Sequence, residues 1–317
     1  MRMSVFRCCM TSMGLAQYEL STNAVLQRLG VEFVDVKEFN CCGYPLKNAN
    51  LKAYLLASAR NLAIAENERL GMFTLCNCCY GSLKHAAHLL DSETSIRDQM
   101  NRTLAGEGLK YQGTAQVRHL LQVLHDDIGI DVIREKLERR YNGLRIATHY
   151  GCHILRPQKI LQFDNAFAPV KFDRLVELTG AESVPWLHRL DCCGSPLMGV
   201  NDELSMDLTE KKLASAREAG ADFMCVACPY CQMQFDRVQE IMLQRGRLTS
   251  KLPSIVYPQL LGLCLGIDPK HLGLDKNRLS PDNLETHLVP WCPAQVKPQH
   301  RGRPKETSSL SASCHQS

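Results

Sequence analysis

The segments "NCCGYP" (40–45) and "DCCGSP" (191–196) each write two adjacent cysteines, a glycine and a proline. Adjacent cysteines are poorly placed to bridge one another, because consecutive Cα atoms lie about 3.8 Å apart and a relaxed disulfide spans about 5.5 Å. Paired thiolates of this kind are better used as ligands. Each pair also belongs to a longer pattern. Cys9, Cys41, Cys42, Cys76 and Cys79 are followed in the same order by Cys152, Cys192, Cys193, Cys228 and Cys231, at offsets of 143, 151, 151, 152 and 152 residues. The chain is therefore an internal repeat whose shared feature is a single cysteine, a Cys-Cys-Gly and a C-x-x-C.

A structural zinc takes four ligands, usually from two short C-x-x-C or C-x-x-H pairs. Each repeat offers one such pair and five thiols in all, which exceeds the need of one zinc. An iron–sulfur cluster anchors several irons and accepts irregular spacing, so the pattern favours it, with zinc at one site as a lesser possibility. Neither repeat contains the C-x₂-C-x₂-C-x₃-C-P run of a ferredoxin.

The remaining composition narrows the class. In 317 residues, 45% are apolar and 22% charged, as in soluble globular proteins long enough for two domains. The net charge of +4 is small and is concentrated in 297–305 (KPQHRGRPK), so no footprint for nucleic acid is expected. There is no secretory signal and no apolar run of the ~20 residues that span a bilayer, so the expected protein is cytoplasmic and not integral to a membrane. Sixteen cysteines in that compartment point to metal or redox chemistry rather than disulfides.

The elements that must carry the cysteines repeat as well. Residues 21–30 have helical spacing, stop at Gly30 and lead into an alternating strand at 31–36, before the first pair. Residues 172–180 form a second glycine-stopped helix, followed by a short strand and the second pair. Helices are expected at 51–69 and 202–219, compact strands at 72–76 and 222–228, and further helices at 80–90 and 232–243. Each C-x-x-C thus falls where a strand gives way to a helix, the position at which open α/β sheets collect their sites and helix N-termini favour thiolates. The predicted fold class is α/β with small, mainly parallel sheets flanked by helices. Between the repeats, 117–129 and 131–141 read as amphipathic helices on one flank. The expected domains are 1–145 and 146–268, and 269–317 is a largely irregular extension that reads as a loosely ordered tail from about 284.

The doubled C…CCG…CxxC pattern, with "LCNCCYGSLKHAAHLL" (75–90), "HYGCH" (149–153) and "CPYCQMQFD" (228–236), resembles the CCG-domain family, and within it the B-type subunits of heterodisulfide reductases. The resemblance runs from about residue 4 to about 275. It implies two pseudo-symmetric CCG domains holding two noncubane [4Fe-4S] clusters that face one another across a substrate site. The first cluster would use Cys9, Cys41, Cys42, Cys76 and Cys79, and the second Cys152, Cys192, Cys193, Cys228 and Cys231. The implied reaction is two-electron cleavage, or the reverse formation, of a disulfide between two thiols. The implied partners are a small ferredoxin-like subunit and a flavin-containing subunit, consistent with the lack of a G-x-G-x-x-G motif here. Two alternatives are an electron-transfer subunit of a lactate-, glycolate- or succinate-type oxidoreductase and a zinc-stabilised scaffold.

Several residues lie outside the simple pattern. Cys8 stands where the family often has glycine and is an alternative upstream ligand. Cys78 is a surplus thiol, and Cys225 makes a competing C-x-x-C with Cys228 but reads as a buried strand residue. Cys264, Cys292 and Cys314 fit neither repeat. His149 and His153 flank Cys152 and could ligate iron, donate to cluster sulfides or deliver a proton to a departing thiolate, although structural histidines with their bonds satisfied are the simpler expectation. His85, His88, Lys84 and Arg156 read as solvated groups, and Tyr44, Tyr80, Tyr230 and Trp186 as packing. Gly43 and Gly194 are expected to permit the turn that aims two successive sulfurs at one site, with Pro45 and Pro196 stiffening its exit.

Overall fold

The computed structural model describes residues 2–291, so Cys292, Cys314 and the basic run at 297–305 lie outside the described residues. Two four-stranded sheets carry the fold. The first is built from β1 (Arg2–Phe6), β2 (Glu32–Asp35), β3 (Gly71–Thr74) and β4 (Val117–His119), in the order β2-β1-β3-β4. After β5 (Arg139–Tyr141), the second is built from β6 (Arg145–His149), β7 (Glu182–Ser183), β8 (Phe223–Val226) and β9 (Ser254–Val256), in the order β7-β6-β8-β9. Every pairing within these two sheets is parallel. Parallel strands need covered faces, and the sequence supplies them: Val5, Phe6, Met72 and Phe73 in one sheet, and Ile146, Ala147 and all of β8 in the other, are buried.

The crossover helices match closely in the two halves. Leu51–Asn67 and Asp202–Glu218 each begin from an asparagine, and Asn50 and Asn201 accept hydrogen bonds from the N–H groups of Ala53 and Leu204, both at 3.0 Å. Such caps satisfy an otherwise orphaned helix N–H. Asn201→Ala is expected to cost about 1 kcal/mol in a urea unfolding experiment, and an unchanged midpoint would show that the cap does not matter.

The region 117–141 differs from the sequence expectation. Val117–His119 is a strand, paired with Met72–Thr74, and the helix starts only at Leu120. The switch is local chemistry: His119 Nδ1 accepts from Leu121 N–H at 3.2 Å, and Gln122 Oε1 accepts from His119 N–H at 3.1 Å, a reciprocal cap that fixes the boundary. Residues 139–141 are likewise a strand, paired antiparallel with β10 (Leu288–Pro290). As far as it is described, the extension holds two short turns of 3-10 helix (Leu274–Lys276 and Glu285–His287) and β10, so residues 284–291 are tied to the body and are not the loosely ordered tail expected there. Asp236 accepts from the N–H groups of Arg278 and Leu279 at 3.0 and 2.8 Å, and Leu284 is buried.

The two halves share one core. The helix Tyr257–Cys264 packs against the helix Ala16–Leu29, burying Leu260, Leu261 and Leu263 with Val25 and Leu26, each contributing roughly 1.5–3 kcal/mol. This joint fixes the carboxyl ends of the two sheets relative to each other.

Candidate metal centre

The cysteines gather at those carboxyl ends. In the first half, Cys9 meets Cys41 and Cys8, Cys42 meets Cys41 and Cys79, and Cys76 meets Cys79 and Cys8. The sulfurs of Cys8, Cys76 and Cys79 lie within 4.8 Å of one another, so Cys8 joins the five expected thiols as a sixth. In the second half the contacts run from Cys152 to Cys192, Cys193, Cys231 and Cys228. Gly151 takes the place of Cys8 here, and the sixth donor is the His149 ring, within 4.8 Å of the Cys193 and Cys231 sulfurs.

The two sets meet. Cys76 and Cys228, each the residue before a helix, are buried with their sulfurs 3.8 Å apart. Cys78, surplus in the sequence pattern, lies at this junction within 4.8 Å of both. Cys225 stays apart in β8, where burial pushes its thiol up, and Cys264 is buried with its sulfur 3.6 Å from the Thr179 carbonyl. Among the described residues no disulfide is formed.

The Cys-Cys-Gly turns explain how two successive sulfurs reach one place. Gly43 (φ 82°) and Gly194 (φ 94°) are left-handed, and each begins a short turn through the following proline. Ser58 and Thr209, on the two crossover helices, donate to the carbonyls of Cys42 and Cys193 at 2.7 and 3.3 Å and pin each turn from below. Cys41 and Cys192, the outer members, are drawn down to about 2. For Cys41 the S–H groups of Cys42 and Cys9 do this, and for Cys192 those of Cys152 and Cys193, assisted by the Gly43 and Gly194 N–H groups. Their inner neighbours Cys42 and Cys193 are pushed up, to about 12, chiefly by the adjacent thiols.

The polar groups around the sulfurs test whether an iron–sulfur group fits. His149 is fully buried, and among the described residues neither of its ring nitrogens has a hydrogen-bond partner, unlike the satisfied structural histidine that is the simpler expectation. Tyr18 Oη, Asn77 Oδ1 and Ser195 Oγ are also buried without hydrogen-bond partners among the described residues. Buried polar atoms are rarely left orphaned, and the hydrogen-bond donors among these, the Tyr18 and Ser195 hydroxyls and the His149 ring N–H, are groups from which cluster sulfides could accept, whereas Asn77 Oδ1 can only accept. Five or six donors per set exceed the four of a structural zinc.

Tyr44, His153 and Tyr230 form a rim over the junction, with centroids 5.1 Å apart for Tyr44–His153 and 5.9 Å for Tyr44–Tyr230. His153 Nδ1 is 3.1 Å from the Cys152 sulfur. Trp186 packs against His149 at 6.1 Å and donates to the Thr148 carbonyl at 2.9 Å, whereas Tyr80 donates to the Leu161 carbonyl, away from the cysteines. Arg156 donates to the Leu190 carbonyl, and His88 is exposed while His85 and Lys84 are half-buried. Sequence reasoning missed Lys212, which is 2% exposed. Its signal was its place on the buried stripe Ser205–Thr209–Lys212–Ala216 of an otherwise regular amphipathic helix.

A family model described as the cysteine-rich CCG domain matches residues 3–84 and 146–236, one match on each half. The B subunit of a ferredoxin/F(420)H(2)-dependent CoB-CoM heterodisulfide reductase of Methanosarcina acetivorans is 35% identical, covering 90% of this chain and 95% of its own. The chain belongs to this CCG family, among the B-type subunits of heterodisulfide reductases. The 8-methylmenaquinol:fumarate reductase membrane anchor subunit of Wolinella succinogenes is 34% identical, over 88% of this chain and 97% of its own. A Helicobacter pylori protein of solved structure superposes with a TM-score of 0.70 at 17% identity, over 87% of this chain and 51% of its own, a likeness of fold. Among the described residues no helix is long and apolar enough to cross a membrane.

Proposed function

We propose that this chain is the catalytic iron–sulfur subunit of a heterodisulfide-reductase-like complex, cleaving or forming a disulfide between two thiols. The observation that carries the reading is the meeting of two complete cysteine sets at Cys76 and Cys228, 3.8 Å apart. Each set would hold one noncubane [4Fe-4S] cluster, Cys9, Cys41, Cys42, Cys76 and Cys79 on one side and Cys152, Cys192, Cys193, Cys228 and Cys231 on the other. Two one-electron centres side by side supply the two electrons that an S–S bond requires. The chain's own residues supply the surroundings. Tyr44 and Tyr230 screen the junction from water, and His153, beside Cys152, is positioned to give a proton to a departing thiolate.

Residues 1–145 and 146–268 are read as the two CCG domains and 269–317 as an extension. Electrons would pass through a small ferredoxin-like subunit and a flavin-containing subunit, in a cytoplasmic setting that suits unpaired thiols. The likeness to the Wolinella protein favours a second reading, electron transfer without disulfide chemistry. One experiment separates these. Anaerobically purified protein is assayed for iron, zinc and acid-labile sulfide, and its paramagnetic resonance spectrum is recorded with and without added thiols. About eight irons and eight sulfides per chain with a thiol-dependent signal support the proposal. The same iron with no response to thiols favours electron transfer alone, and two zincs without sulfide would leave only a scaffold.

A further inference from the structure

The two cysteine sets are related by the repeat, but their surroundings are not. The crossover helices start from Asn50 and Asn201, and the residues eleven positions on are Asn61 in the first half and Lys212 in the second. Asn61 is neutral and spends its amide on the first turn, donating to the Asn40 and Cys41 carbonyls at 3.3 and 3.2 Å. Lys212 reaches the equivalent place as an ammonium group. Its Nζ donates to the His188 carbonyl at 2.6 Å and lies 5.7 Å from the centre of the Trp186 ring. Burial pulls the Lys212 ammonium below the usual lysine range, and the charges that oppose this are Asp191 and the thiolates of Cys193, Cys231 and Cys192; no carboxylate lies within 4.0 Å of Nζ among the described residues. Asp191 is a partial offset only, since its side chain is 60% exposed and bonded to His188 Nδ1 at 2.8 Å.

The strand ends are unequal in the same sense. β1 ends in Phe6 and β6 in His149, both buried, so the second set has a ring N–H donor where the first has a hydrocarbon face. His149 is held edge-on by Phe235 at 5.0 Å, within reach of Cys193 and Cys231, and its nitrogens have no competing hydrogen-bond partner among the described residues. The first set gains instead a further thiol, Cys8. A half-buried cation in the first half, Lys47, sits 5.8 Å from the Tyr54 ring, and its charge bears on His85 and on His153 of the second half.

Adding an electron to a buried, thiolate-rich centre adds negative charge, which a nearby buried cation and hydrogen-bond donors favour and a further thiol does not. Resting on the two-cluster reading, we infer that Lys212, together with His149, holds the second set at the higher reduction potential. The first electron delivered to the chain therefore resides beside Cys192, Cys193 and Cys231, and the Cys8-bearing set is reduced second. Lys212 is a positioning residue for charge. Its hydrogen bond goes to a carbonyl and not to a sulfur.

The test uses anaerobic, full-length protein whose iron and sulfide content shows both clusters present. It is titrated with dithionite while paramagnetic resonance follows each signal, and the signals are assigned with Cys79→Ala and Cys231→Ala proteins, each disabled in one set. In the unmodified protein the second-set signal is expected to appear at the higher potential. Lys212→Gln is expected to weaken reduction of that set at least tenfold, a shift of about 59 mV for a one-electron couple, while leaving the first set unchanged. Lys212→Arg is expected to restore it. If Lys212→Gln does not fold, the order in the unmodified protein and the Lys212→Arg result still decide. Reduction of the first set first, or a second-set potential indifferent to the charge at 212, overturns the inference while two clusters stand. Protein without iron and sulfide would instead overturn the two-cluster reading, and this inference with it.

Discussion

If each cysteine set holds one cluster as proposed, Cys231→Ala is expected to retain about half the iron of the unmodified protein and to lose the proposed disulfide cleavage by roughly 100-fold or more. Cys231 is buried between Cys193 and Cys228 and close to His149, so no exposed side chain can swing in to replace it. The first set does not depend on it, because Cys8, Cys76 and Cys79 close on one another within 4.8 Å. Cys225→Ala is the matching control. Cys225 forms the same C-x-x-C spacing with Cys228, yet it is a β8 residue registered against Ile255 and meets none of the second-set sulfurs. That protein should keep its full iron content. Loss of iron from Cys225→Ala with retention in Cys231→Ala would require the ligand set to be redrawn.

Gly194→Ala is expected to destabilise the protein by about 2–5 kcal/mol, by combining left-handed backbone strain with overpacking. At φ 94° an added Cβ would stand 2.6 Å from the Ser205 carbonyl oxygen, on the rigid first turns of the helix that pins Cys193. Backbone cannot yield as a flexible side chain can, so the Cys193 turn must shift and second-set iron should fall as well. Gly43→Ala meets the Tyr54 carbonyl oxygen at 3.0 Å and should cost less. Urea unfolding with iron determination on both proteins checks this ordering. Equal stabilities for the two variants would mean that the turns are not as tightly held as the contacts imply.

Much of this was legible in the chain because it is local. The strand at Glu32–Asp35, the glycine stop at Gly30 and the helices following Asn50 and Asn201 are written in periodicity and capping chemistry. The stretch at 117–124 was misread because Val117, His119 and Leu121 alternate while Leu120, Leu121, Val123 and Leu124 also suit a helix. Only the ladder to Met72–Thr74 and the cap at His119 select strand first and helix second. The strand at Arg139–Tyr141 was hidden for the same reason, since its partner lies at Leu288–Pro290, far along the chain.

Two five-cysteine sets, their place at strand-to-helix junctions and the glycine that opens each Cys-Cys turn are all written in residue type and short spacing, so they could be read without coordinates. Long-range packing had to supply the rest. It brings the sets together at Cys76 and Cys228, includes Cys8 and Cys78 while leaving Cys225 apart, and buries His149 and Lys212 beside the second set only. The meeting at Cys76, Cys78 and Cys228 depends on how the two halves pack together and the rest on how helices pack on the sheet within each half, and both are settled by buried surfaces contributed from distant parts of the chain, which no local pattern records.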